Sequence, residues 1–140
     1  MAEVVQSMAA EAGFDLKIRV TEFATSIKEA ESGEYQIYIF GWSGRADPDG
    51  NSFSLQTCKG PLNFNKYCDP EVDALHQEAR KVTDQPGRKA VYEKIAAKAL
   101  PNGGFVYLYH PQVLIAHSDK LEGYKQLPDG LVRVIGLKLK

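Results

Sequence analysis

The sequence predicts an α/β fold around one mostly parallel sheet, with α+β as the alternative arrangement of the same elements. Residues 14–21 alternate between apolar and polar side chains, which is typical of a half-buried strand. Residues 35–40 are apolar on both faces, which suits a buried strand. Residues 23–32 have helical spacing and stop at Gly33. Strand, helix and strand together form a βαβ unit, whose two strands are expected to be parallel.

Helical spacing also indicates four further helices. Residues 2–12 form an amphipathic helix that Gly13 ends, and residues 51–56 form a short helix. Asp69 caps a third helix with a proline at its first position, and Asp84 caps a fourth. About four residues join these last two helices, so we expect an antiparallel hairpin. Its inward side chains are predicted to be Val72, Leu75, Ala79, Val82, Val91, Ile95 and Ala99.

The last third of the chain is rich in β-formers. Residues 105–109 and 113–116 are predicted strands, residues 119–126 a turn or short helix, and residues 131–139 a weakly alternating strand. No internal repeat or flexible linker interrupts the sequence. The chain is therefore expected to form a single unit.

Length, composition and charge exclude several classes of protein. A chain of 140 residues can bury roughly two-thirds of its unfolded surface, which is enough for a core. Its 17 basic and 18 acidic residues leave a net charge of −1, so a broad surface for nucleic acid or anionic membranes is not expected. Residues 1–13 contain two glutamates and no basic residue, which is not the pattern of a secretory signal.

The loop at residues 41–51 has the side chains of a recognition site. It follows the predicted strand 35–40, and ligands of open α/β sheets bind outside the carboxyl ends of parallel strands. Trp42 offers an aromatic face, Ser43 a hydroxyl, Gly44 a close backbone approach, Arg45 a guanidinium and Asp47 a carboxylate. The alternative interpretation is structural: the aspartates fold a turn by accepting from backbone amides, and the tryptophan belongs to a core.

Other chemistry has weaker support in the sequence. Asp47, Asp49 and Asn51 have the spacing that opens a calcium loop, but position 12 of that loop would be a cysteine instead of glutamate. No metal or other cofactor is expected. A nucleophilic set of Ser43, Asp47 and His110 is conceivable, although no catalytic motif surrounds these residues.

The sequence contains two other histidines. His76 falls on the polar flank of its helix and is expected to be solvated, whereas His117, like His110, lies near a strand end.

The two cysteines, Cys58 and Cys68, lie in one loop at a spacing that fits neither a redox nor a zinc motif. They are either a disulfide or two unrelated thiols, and the Gly-Pro and Asn residues between them favour the disulfide. Such a bond would close about 11 residues and stabilise the fold by about 2.5–3 kcal/mol. It indicates an oxidising compartment. Since no leader is visible, we expect that the natural N-terminus lies upstream and that the chain is a fragment.

Four segments, taken together, resemble one family closely. They are Gly-Trp-Ser-Gly-Arg-Ala-Asp-Pro-Asp at 41–49, Tyr-Cys-Asp-Pro-Glu-Val-Asp-Ala-Leu at 67–75, Val-Tyr-Leu-Tyr-His at 106–110 and Pro-Asp-Gly-Leu at 128–131. Their order resembles the C-terminal part of family 5 extracellular solute-binding proteins, the dipeptide, oligopeptide and nickel type of ABC-importer receptor. The resemblance extends over essentially all 140 residues.

The resemblance implies a fold, a location and partners. It implies one lobe portion of a type II periplasmic-binding-protein fold, with residues 1–140 as a single C-terminal fragment that lacks the N-terminal lobe. It implies a periplasmic, disulfide-bonded binding protein, not an enzyme. Such a protein captures a peptide or similar small solute between two lobes and delivers it to a membrane permease.

The resemblance also implies which residues would touch a ligand. Trp42, Ser43, Gly44 and Arg45 would line the cleft, with Asp47 as a further member. Peptide-binding members have an aspartate for the ligand's α-amino group about three residues past the tryptophan, and this chain has Arg45 there. A guanidinium prefers carboxylate or phosphate, so an anionic or zwitterionic ligand becomes the hypothesis. The competing hypotheses are a small α/β hydrolase-like enzyme that uses His110 or His117, and a non-functional remnant.

Overall fold

Five helices and one two-stranded sheet make up the described chain, in a computed structural model that describes residues 1–127 and 129–140. The helices are α1 (Ala2–Glu11), α2 (Phe23–Ser32), α3 (Asp49–Gln56), α4 (Pro70–Ala79) and α5 (Gln85–Asn102). The strands β1 (Leu121–Glu122) and β2 (Lys138–Leu139) pair antiparallel. Pro128, which belongs to the fourth segment of the family resemblance, lies outside the described residues. Within the described part, no helix is both long and apolar enough to cross a membrane.

All five predicted helices are confirmed, because their start and stop signals are local. The Asp69 carboxylate accepts the Glu71 amide at 2.9 Å, and the Asp84 carboxylate accepts the Gly87 amide at 2.7 Å, each at a helix N-terminus. Gly33 ends α2 with φ of 80°, a left-handed conformation that glycine adopts without a steric penalty.

The chain divides into two compact units, Met1–Trp42 and Ser43–Lys140. The first unit contains α1 and α2, and Ala30 is its one buried residue. Polar contacts hold its non-helical segments: Arg19 donates to both carboxylate oxygens of Glu29 at 2.9 and 2.8 Å, and Gln6 donates to the Leu16 carbonyl at 2.7 Å.

The predicted parallel βαβ sheet is wrong for the structure described. Residues 14–21 and 35–40 form no strand, and β1–β2 is the one ladder among residues 1–127 and 129–140. Val20 is 89% exposed and Ile37 60%, although both were expected to be buried. Alternation specifies which face a strand would bury, but a strand forms only where a second backbone completes its hydrogen bonds.

The β-rich segments of the last third likewise remain unpaired. Residues 105–109, 113–116 and most of 131–139 form no ladder, and β2 occupies only the end of the last segment.

The core of the second unit is the hairpin of α4 and α5. Its buried cluster joins Val72, Leu75 and Ala79 of α4 to Val91 and Ile95 of α5, as the helical spacing predicts. The hairpin is antiparallel, because opposite helix ends meet: Lys98 pairs with Glu71 at 2.6 Å, and Arg88 donates to the Ala79 carbonyl at 3.2 Å.

His76 corrects a second prediction, because its side chain is fully buried instead of solvated. Its ring lies between Phe53 of α3, with ring centres 5.7 Å apart, and Tyr92 of α5, at 6.2 Å, both edge-on. Position 76 lies one turn from both Val72 and Ala79, on the face that the hairpin buries.

The predicted disulfide between Cys58 and Cys68 is confirmed, with Cα atoms 4.3 Å apart. The loop that it closes is held from inside by Asn63, whose amide donates to the Thr57 carbonyl at 3.0 Å and to the Tyr67 carbonyl at 2.6 Å. The Cys58 amide donates to Asp73 of α4 at 2.9 Å. The disulfide loop is therefore attached to the hairpin.

Candidate functional site

The predicted recognition residues lie mainly in one segment, residues 43–48, which we call the Arg45 loop. It opens the second unit and leads directly into α3. The expectation that this loop leaves a parallel strand is not met, because residues 35–40 are not a strand here. Its position depends instead on side chains of α3, α4 and α5.

Asn51 of α3 holds the backbone of the Arg45 loop. Its side-chain oxygen accepts the Arg45 amide at 2.6 Å, and its amide nitrogen donates to the carbonyls of Arg45 at 2.7 Å and Asp47 at 3.1 Å. The Arg45 guanidinium folds back on Ser43, where Nη1 donates to the carbonyl at 2.5 Å and to Oγ at 2.9 Å. Arg45 and Ser43 thus form one exposed polar group.

Asp47 is bound by Arg88 of α5. The two guanidinium nitrogens donate to the two carboxylate oxygens at 2.7 Å each, a bidentate arrangement. These bonds, led by that from Arg88, lower the pKa of the Asp47 carboxyl to about 2 and raise the pKa of Arg88. Asp47 also accepts the Asp49 amide at 2.8 Å, which is the turn geometry of the structural interpretation.

A second bidentate pair joins α3 to α4. Arg80 donates to Asp49 at 2.8 and 2.9 Å, and its guanidinium carbon lies 3.5 Å from the centre of the Phe53 ring. Hydrogen bonding to Asp49 raises the pKa of Arg80. Since arginines bind both aspartates, neither carboxylate is arranged as a calcium ligand here.

An open cavity of about 630 Å³ adjoins the Arg45 loop. The loop forms one wall and the first turns of α5 the other, and the Asp47–Arg88 pair lies between them. The lining residues are Ala46, Asp47, Pro48, Thr83, Gln85, Arg88, Lys89 and Tyr92. Charged, amide, hydroxyl and aromatic groups together can bind a small polar molecule.

The other two predicted ligand contacts, Trp42 and Gly44, do not line this cavity. Trp42 is the last residue of the first unit and is 39% exposed, so it is not a core tryptophan here. Gly44 has room for a side chain, since an added Cβ would meet only the Asn51 oxygen at 4.0 Å. Its glycine is therefore not required by close packing.

The residues of the enzyme hypothesis do not form a catalytic set. Ser43 is bound by Arg45 and Asp47 by Arg88. His110 is exposed, and the exposed His117 contacts the Ser118 carbonyl through Nδ1 at 3.0 Å. Within residues 1–127 and 129–140, no three His, Cys, Asp or Glu side chains are grouped so that they could hold a metal ion.

Sequence reasoning missed Arg80, Arg88 and the role of Asn51. The two arginines lie 31 and 41 residues from the aspartates that they bind, so no local spacing could relate them. The sequence pattern relates Asn51 to Asp47 and Asp49 only through the spacing of a calcium loop. The available signal was the first helical turn itself, where a polar side chain can cap the loop that precedes it.

Comparison with known proteins gives a consistent result. Residues 1–63 match the family model described as bacterial extracellular solute-binding proteins, family 5 Middle. The probable di/tripeptide-binding protein 5 of Pseudomonas aeruginosa (strain UCBPP-PA14) is 32% identical over 92% of this chain and 25% of its own length. The dipeptide-binding protein of Escherichia coli (strain K12) is 29% identical over 94% of this chain and 24% of its own length.

A relative from a third organism has similar coverage. The oligopeptide-binding protein AppA of Bacillus subtilis (strain 168) is 28% identical over 91% of this chain and 24% of its own length. The chain thus spans about a quarter of the length of the curated relatives that it matches.

Proposed function

The chain belongs to family 5 of the bacterial extracellular solute-binding proteins, and we propose that it forms part of the substrate-binding component of an ABC importer for peptides or similar small solutes. Its similarity to di/tripeptide-, dipeptide- and oligopeptide-binding proteins over about nine-tenths of its length carries this proposal. The role is capture and delivery, not catalysis. A periplasmic location is part of the proposal, and the Cys58–Cys68 disulfide is compatible with it.

In the proposed mechanism, the ligand is enclosed between two lobes and then delivered to a membrane permease. This chain would supply a C-terminal portion of one lobe, and the N-terminal lobe would supply the opposite wall. A ligand that contacts both walls favours the closed state by its differential affinity for that state.

The ligand contacts that we propose are Trp42, Ser43, Gly44 and Arg45, with Asp47 as a supporting member. Arg45 is the chemical centre of this set, because its guanidinium is exposed and could exchange its bonds to Ser43 for two parallel hydrogen bonds to a ligand carboxylate. Asp47 is already bound by Arg88, so we assign it to holding the loop before ligand contact. The preferred ligand is therefore one with a free carboxylate, such as a zwitterionic peptide.

Titration calorimetry on the complete gene product that contains this chain tests the proposal. Three probes separate the charges: L-alanyl-L-alanine, its C-terminal amide, and its N-acetyl derivative. We expect the amide to bind at least tenfold more weakly than the other two, because a hydrogen bond to a charged group contributes about 1.5–3 kcal/mol. Arg45→Ala should remove that difference, and Arg133→Ala, at an exposed arginine outside the site, should not.

Two outcomes would count against different parts of the proposal. If no probe binds and native mass spectrometry of the protein purified from its host finds no bound solute, the importer function is refuted. If the amide binds as tightly as the free acid and Arg45→Ala changes nothing, the role of Arg45 is refuted while the importer function stands.

A further inference from the structure

Two arginines outside the Arg45 loop hold its C-terminal end, and the start of α3 that follows it, to the helical hairpin. Arg88, in the first turn of α5, binds both oxygens of Asp47 inside the loop. Arg80, which follows the last residue of α4, binds both oxygens of Asp49, the first residue of α3. A planar guanidinium that binds a carboxylate at two points fixes its orientation as well as its distance.

The surroundings of the arginines restrict their own movement. The Arg80 guanidinium lies over the Phe53 ring at 3.5 Å, and that of Arg88 lies 5.4 Å from the centre of the Tyr92 ring. Both rings pack against the buried His76, one from each side. The arginines therefore project from the packed part of the second unit, not from a mobile surface.

Asn51 connects the two aspartate–arginine pairs to the backbone of Arg45. Asn51, in the first turn of α3, accepts the Arg45 amide and donates to the carbonyls of Arg45 and Asp47. With α3 held by Arg80 and Asp47 held by Arg88, Asn51 fixes the backbone of Arg45 at its amide and at its carbonyl. A ligand that binds a pre-ordered loop does not have to offset the loss of loop entropy.

We propose that Arg80 and Arg88 are positioning residues for ligand recognition: they act through Asp49 and Asp47 to hold the Arg45 loop in its binding conformation. This inference rests on the proposed function for its effect on affinity, but its effect on the loop can be measured without a ligand. It assigns the hairpin a second role in recognition, because the hairpin also supplies Gln85, Arg88, Lys89 and Tyr92 to the cavity wall.

The test compares Arg88→Met and Arg80→Met with Arg133→Met in the complete gene product. Arg133 is a matched control, because it also forms a bidentate pair, with Asp129 at 3.0 and 2.6 Å, but does not contact the Arg45 loop. Methionine keeps an apolar stem and removes the guanidinium.

The first readout is hydrogen–deuterium exchange of a peptide that covers residues 43–51, without ligand. We expect exchange at least tenfold faster than wild type in the two test variants and unchanged exchange in Arg133→Met, because local opening sets the exchange rate. The second readout is Kd for L-alanyl-L-alanine, expected to rise at least tenfold in the test variants and less than twofold in the control. Arg88→Lys, which keeps the charge and one hydrogen bond, should recover part of both losses.

The outcomes separate the two hypotheses. Unchanged exchange in both test variants overturns the positioning role, and so does faster exchange with unchanged Kd. If wild type binds no probe while exchange still rises only in the test variants, the loop-holding role stands and the proposed ligand class is refuted. If Arg88→Met does not fold, Arg88→Lys against Arg133→Lys decides by the same two measurements, with smaller expected changes.

Discussion

Acidification should destabilise the second unit through His76, whose buried ring nitrogens have no hydrogen-bond partner among the residues that the structure describes. Burial lowers the pKa of His76, opposed by Asp49 and Asp73 and assisted by Arg80. The folded pKa thus lies below the unfolded value of about 6.5, so at lower pH the unfolded chain binds the extra proton. The stability contributed by the neutral ring is fully present above pH 6.5 and is lost as pH falls towards the folded pKa.

One proton sets the magnitude of this effect. Where the unfolded state binds one proton more than the folded state, the free energy of unfolding falls by about 1.4 kcal/mol per pH unit. His76→Leu removes the titrating group and leaves an apolar side chain of similar size. Because it also removes two buried nitrogens without partners, we expect it to be more stable than wild type by about 1 kcal/mol at pH 7.5.

The assay is urea unfolding at pH 7.5, 6.5 and 5.5, followed by the far-ultraviolet circular dichroism of the helices. His110→Leu is the matched control, since it makes the same substitution at an exposed histidine. Between pH 7.5 and 5.5, we expect the free energy of unfolding to fall less in His76→Leu than in wild type. In His110→Leu it should fall as much as in wild type. An identical pH dependence in His76→Leu and wild type would refute the reasoning.

Three further predictions concern stability. Replacing Cys58 and Cys68 with serine should lower the free energy of unfolding by about 2.5–3 kcal/mol, because the closed loop no longer restricts the unfolded chain; reduced wild type should match it in urea unfolding. Ile95→Ala should cost about 2–5 kcal/mol through a cavity in the hairpin core, whereas Leu100→Ala, at a half-exposed position of the same helix, should cost clearly less; equal losses would contradict the assigned core. Gly60→Ala should lower the melting temperature, because its added Cβ would collide with the α3 backbone. An unchanged melting temperature would contradict the close approach of Gly60 to α3.

Local signals predicted the helices, and long-range contacts explain what the sequence could not predict. Asp69 and Asp84 cap their helices through amides two or three residues away, so the chain itself carries the information. The alternation at residues 14–21 specifies which face a strand would bury. It does not specify the second backbone with which the strand must pair. The polarity of histidine predicts a solvated His76. Its position in α4, close to Leu75 and Ala79 on the buried face, instead places the side chain in the core.

The sequence could not predict how the residues of the candidate site are arranged. The loop composition predicts Arg45 and Asp47 as ligand contacts, which stays a prediction, and the structure shows the turn geometry of Asp47 that is the alternative interpretation. The loop is held by Arg80, which follows α4, and by Arg88 of α5. Both arginines reach the loop and the start of α3 because α4 packs against α5. Only the folded hairpin brings these arginines to their aspartates.

The exposed apolar side chains of residues 105–116 and 131–137 have a practical consequence for anyone who prepares this chain. Val106, Leu114 and Ile135 are each more than four-fifths exposed. Exposed apolar side chains in such number promote nonspecific association in water. Light scattering should therefore increase steeply with protein concentration, and dilute samples with a mild detergent are the appropriate starting condition for spectroscopy.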